Sequence, residues 1–141
     1  MQNRVKRILF VLPTAQIGGT RTSLINLLSN MDKSRYDIDV MFLLHRGPMI
    51  GQFKELARVL PQDKLLLAGR GSLRALFKSG RIGAFLRGVC FGVKAKLSKS
   101  SRYEFTYRKA AKKYGGKYDC VISFQEKDAA EFARYIDAPR K

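Results

Sequence analysis

Two consecutive glycines, Gly18 and Gly19, are followed by Thr20, Arg21, Thr22 and Ser23, a helix opening made of hydroxyls and one cation, with no carboxylate. Most helices place Asp or Glu in the first turn, where free N–H groups and the dipole favour negative charge. With that place left open, backbone donors and Arg21 are available to an external anion, most simply a phosphate. The glycines permit a tight turn and close backbone approach; the alternative reading is a turn that only relieves the backbone. The stretch has neither the GxGxxG of dinucleotide sites nor the GxxxxGK[ST] of P-loops. Two further groups could act on a ligand: His45 and Arg46, ahead of Gly47 and Pro48, and Gln125 and Glu126, which follow the apolar run DCVISF. Cys90 and Cys120 are isolated, which is neither a disulfide framework nor a metal spacing, and they read as buried reduced thiols.

These residues need elements to hold them. Ile8 to Leu12 is an unbroken apolar run, the mark of a strand covered on both faces, and Pro13 ends its ladder. Leu24, Leu27, Leu28 and Met31 then recur at helical spacing, with Thr20 as N-cap. Ile38 to Leu44 reads as a second strand, parallel to the first because the crossover between them carries a helix. His45 and Arg46 therefore fall on the same carboxyl edge as the glycine loop, where open α/β sheets bind ligands. Further along, Gln52 to Val59 predicts a short helix, Lys64 to Leu67 a third strand, and Leu73 to Lys78 and Ile82 to Leu97 two more helices. Tyr103 to Tyr114 predicts another, stopped by Gly115 and Gly116. Asp119 to Phe124 reads as a fourth strand with Gln125 and Glu126 at its carboxyl end, Ala129 to Ile136 as a last helix, and residues 138–141 as the approach to a further strand. The expectation is an α/β fold: a Rossmann-like parallel sheet with helices on both faces, in one domain of 141 residues.

Charge is the unusual feature. Lys and Arg number 28 against 11 Asp and Glu, a net +17, and hydrophobic residues make up 45% of the chain, so it folds rather than forming a basic tail. Between Asp63 and Glu104 there is no acid and there are ten cations, among them Arg74, Lys78, Arg81, Arg87 and Lys94. Such a stretch seeks a polyanion: nucleic acid, anionic lipid or a phosphorylated substrate. Ile82, Phe85, Leu86, Val89, Cys90, Val93 and Leu97 share one helical face, which either packs on the sheet or lies on a membrane surface, where each cation is worth about 1 kcal/mol. No apolar run is long enough to cross a bilayer, and the N-terminal apolar segment is too short for a signal peptide, which points to the cytoplasm. Tyr103, Tyr107 and Tyr114 among basic residues could stack bases, and so favour a nucleic-acid-binding module, or could be core. No helix-turn-helix, zinc or RNA-recognition signature accompanies them. A third alternative is a protein-interaction module, such as a homodimer, built on the apolar face of Ile82 to Leu97.

Taken together, KRILFVLP, IGGTRTSLINLLSNMD, YDIDVMFLLHRGPM and YDCVISFQE resemble the N-terminal Rossmann-like domain of GT-B glycosyltransferases of the family 4 type, above all bacterial enzymes that build capsular polysaccharide, teichoic acid or lipopolysaccharide. The resemblance runs from Lys6 to Glu126 and fits least well between Pro61 and Lys117. It implies sugar transfer from a nucleotide diphosphate sugar, the donor substrate, in a cleft between two Rossmann-like domains, the N-terminal one holding the acceptor and no separate cofactor being needed. It also implies that Gly18 and Gly19 turn backbone N–H groups towards the donor phosphates. The basic region 70–102 resembles the cationic surface with which membrane-bound members hold lipid-linked acceptors. The family follows its glycine pair with a small residue and then Glu, where Thr20 and Arg21 stand here. The donor-binding C-terminal domain has no counterpart in the chain, so the resemblance implies a fragment or excised domain, peripheral on the inner face of the membrane and without transferase activity by itself.

Overall fold

A computed structural model describes residues 4–70, 82, 83, 86, 89, 90, 93, 102–125 and 127–141. Four strands form one sheet: β1 (Lys6–Leu12), β2 (Tyr36–Phe42), β3 (Arg58–Val59) and β4 (Cys120–Ser123), in the order β3-β2-β1-β4. Every pairing is parallel, with Leu9 opposite Asp39 on one side of β1 and opposite Val121 on the other. The first strand therefore lies between two parallel neighbours, and its burial on both faces is why five apolar residues run together there.

Successive side chains of β1 supply two cores. Ile8, Phe10 and Leu12 pack with Leu24 and Leu28 of α1 (Gly19–Asn30) and Phe53 of α2 (Ile50–Leu56). Leu9 and Val11 pack with Leu65 and Leu66 of α3 (Lys64–Arg70), Tyr107 of α4 (Arg102–Ala111) and Phe132 of α5 (Asp128–Arg134). Helices thus cover both faces, as an α/β Rossmann-like fold requires. The chain winds outward from β1 to β3 under one face, then returns past β1 to β4 under the other. The direction of winding reverses between β1 and β4.

Several boundaries differ from the sequence reading. Lys64 to Leu67 is the start of α3 and not a strand. The carboxylate of Asp63, itself buried, accepts the Leu65 N–H at 2.7 Å and caps that turn, and leucines without β-branching favour the helix. The third strand is instead Arg58–Val59, at the end of the stretch read as helix, because α2 stops at Leu56. The cap of α1 is Gly18 rather than Thr20, and Leu27 is 41% exposed although it follows the helical spacing. Cys120 is only half-buried and Cys90 is exposed; both are free thiols. The tyrosine stripe belongs to the core where it is described: Tyr107 is buried, edge-on to Phe132, and Tyr114 donates its hydroxyl to Asp63 at 3.2 Å. That removes the base-stacking platform from those two positions. Arg140 makes a parallel bridge to Cys120, the beginning of pairing on the outer side of β4 that the terminal residues led us to expect.

Candidate functional site

The loop from β1 to α1 is held from below by the loop after β2. Leu43 and Leu44 donate backbone N–H groups to Leu12 and Pro13, Ala15 donates to the Arg46 carbonyl at 2.8 Å, and Met49 donates back to the Ala15 carbonyl at 3.1 Å. Gly47 sits in the middle of this seam at φ 126°, and a Cβ there would stand 2.2 Å from the Ala15 carbonyl group. Only glycine permits so close an approach of the two backbones. Gln62 closes the far side, its amide oxygen accepting the His45 N–H at 2.6 Å and its NH2 reaching the Leu43 carbonyl.

The seam presents Gly18 and Gly19 at the carboxyl edge. Arg21 and Thr22 both donate their N–H to the Gly18 carbonyl, which opens α1, while the Gly19 and Thr20 amides find no acceptor among the described residues. No acid lies in the first turn and no side chain caps it. By contrast α3 is capped by Asp63, and α4 and α5 carry Glu104 and Asp128 in their own first turns. Arg21 folds back over the loop, its Nε donating to the Thr14 carbonyl at 3.2 Å, with one terminal nitrogen 4.0 Å from where a Gly18 Cβ would stand. Two free amides and a guanidinium therefore gather at the mouth of one twelve-residue helix. Chemically, such a helix end favours negative charge and has donors enough for one or two phosphates.

The remaining predicted residues divide. Arg46 is exposed on the seam, its carbonyl bonded to the Ala15 N–H. His45 is partly buried, edge-on to Phe42 and with no partner for its Nε2 among the described residues. Burial pulls its pKa below the ordinary histidine value, with Lys54 adding repulsion and the Leu60 carbonyl opposing. Burial thus favours the neutral ring, which packs against Phe42. Gln125 follows β4 at the same edge, its side-chain oxygen buried and unpaired among the described residues. Glu126, like Arg74, Lys78, Arg81, Arg87 and Lys94, lies outside the described residues. Sequence reasoning missed two contributors, Ala15 and Gln62, whose contacts are long-range. Gly47 standing before a proline was the one available signal.

The glycine loop and Gln125 stand at the carboxyl ends of β1 and β4, where the winding reverses; in open α/β sheets that crevice is the ligand position. A groove of about 470 Å³ lies at the opposite edge between Arg4, Lys6, Cys120 and Arg140. Asp119 there is already engaged by Arg4 and by the Arg7 N–H, which hold its carboxyl below the usual range. No protein-family model, curated protein or solved structure matches the chain.

Proposed function

We propose that the chain is the N-terminal, acceptor-side domain of a glycosyltransferase that moves a sugar from a nucleotide diphosphate sugar to a cell-envelope glycan or lipid-linked acceptor, working at the cytoplasmic face of the membrane. The observation that carries this is the uncapped amino end of α1, with the free Gly19 and Thr20 amides and Arg21 beside it at the reversal between β1 and β4. In the transfer, the bond from the sugar's anomeric carbon to the diphosphate oxygen breaks and a bond to the acceptor oxygen forms, the acceptor hydroxyl giving up its proton to the leaving phosphate or to solvent. The nucleoside diphosphate leaves with the electron pair. Charge grows on the leaving phosphate, and preorganised N–H groups and a guanidinium stabilise it more than they stabilise the ground state. Arg46, on the seam beside the loop, supplies a second cation at the same edge.

Calorimetric titration tests this reading. The chain is expected to bind uridine or guanosine diphosphate but not the nucleoside. Arg21→Glu should weaken that binding by about tenfold or more, the worth of one charge-assisted contact with the sign reversed. Equal affinity for nucleoside and diphosphate, or binding indifferent to Arg21→Glu, would contradict it.

A further inference from the structure

Six residues between positions 82 and 93 are described, all helical and all exposed. Four are large aliphatics: Ile82 and Leu86, each 61% exposed, Val89 at 40% and Val93 at 55%. At 100° per residue they fall within an arc of about 60°, one narrow stripe of a helix. Had this stripe packed on the sheet it would be covered, as Leu24 and Leu28 of α1 are, both fully buried. Cys90 lies beside the stripe and is exposed too.

The charge of the surrounding sequence selects what covers it. From Lys64 to Tyr103 there are ten cations and no acid. A second copy of the chain would bring like charge against like charge, and nucleic acid would satisfy the cations but offer no apolar phase to the aliphatics. An anionic lipid interface offers both. The helix that the sequence predicts from Ile82 to Leu97 is too short to cross a bilayer and suited to lying in its plane. Among the described residues no helix is long and apolar enough to cross a membrane.

We propose that Ile82, Leu86, Val89 and Val93 enter the headgroup–acyl boundary of an anionic bilayer. This deepens the peripheral location in the proposed function by naming the surface that carries it. It stands on residues remote in sequence from the glycine loop. The two readings fail independently: loss of diphosphate binding leaves a vesicle result standing, and the reverse holds equally.

The test is sedimentation of the full chain with phosphatidylglycerol vesicles and with phosphatidylcholine vesicles, joined to an environment-sensitive fluorophore on Cys90 in a Cys120→Ser background. Binding to the anionic vesicles should be at least about tenfold tighter than to the neutral ones. The Leu86→Asn/Val89→Asn variant, altered only at exposed side chains, should unfold at the parental temperature and bind about tenfold more weakly. The fluorophore on Cys90 should shift to the blue on binding. An unshifted fluorophore together with binding indifferent to the double substitution would overturn the proposal, since charge alone would then suffice. So would absence of binding to either vesicle, or a concentration-dependent dimer that the double substitution abolishes.

Discussion

His45 is the chain's single histidine, so its titration can be read without interference. Its folded pKa lies below the ordinary histidine value because the ring is partly buried, with Lys54 adding repulsion. A group whose folded pKa is lowered in this way binds more protons when unfolded, so stability falls as pH drops below about 6.5 and stops falling once pH is under the folded value. Thermal unfolding between pH 7.5 and 5 should show that loss, and His45→Gln should flatten the profile in this window; an unchanged slope in the variant would assign the loss elsewhere. Gly47 makes a different demand. Gly47→Ala forces a Cβ to within 2.2 Å of the Ala15 carbonyl group at φ 126°, so the seam must open. The expected cost is about 3 kcal/mol, read by denaturant unfolding, with faster amide exchange at Ala15 and Met49 and weaker diphosphate binding. Both residues were visible in the sequence as a loop at the ligand edge. Their partners, Ala15 and Gln62, were not, because backbone-to-backbone seams between distant segments leave no periodic trace.

At the level of elements, one network ties the sheet together beneath the site. Asp39, 1% exposed in β2, takes two hydrogen bonds of 2.7 Å from the Arg58 guanidinium of β3 and one of 2.5 Å from the Tyr118 hydroxyl ahead of β4. Burial, with the neighbouring Asp39, pushes the Tyr118 phenol well above its ordinary range, so it remains a donor at any working pH. Arg58→Ala leaves a carboxylate in the sheet without its cation. Because that guanidinium is 58% exposed, the expected loss is about 2 kcal/mol rather than the larger figure for a fully buried pair. Tyr118→Phe should cost about 1 kcal/mol, and the double variant should depart from the sum of the two, since both serve one carboxylate. Strict additivity in urea unfolding would contradict a shared network. The same residues explain why β3 was unreadable: two residues have no hydrophobic period, and Arg58–Val59 is a strand because Asp39 and Val40 pair with it. Lys64 to Leu67 has strand-like apolarity, and the Asp63 cap turns it into helix.

For the whole molecule, the parts that a repeating pattern specifies were legible: the central position of β1, its parallel partners, α1, β4 and the placement of helices on both faces. The carboxyl-edge location of the glycine loop followed from that topology. Whether Ile82, Leu86, Val89 and Val93 pack inward could not follow from periodicity, because a stripe that meets a sheet and one that meets a lipid have the same spacing; in the fold these four side chains are exposed. What joins sheet, loop and charge into one function is the claim that the uncapped end of α1 receives a diphosphate. Amide-resolved NMR of the chain titrated with uridine diphosphate tests it most directly. The account predicts progressive shifts of the Gly18, Gly19 and Thr20 amides that saturate together and disappear in Arg21→Glu. Shifts centred on the groove at Arg4, Lys6 and Arg140, with those three amides unmoved, would contradict it.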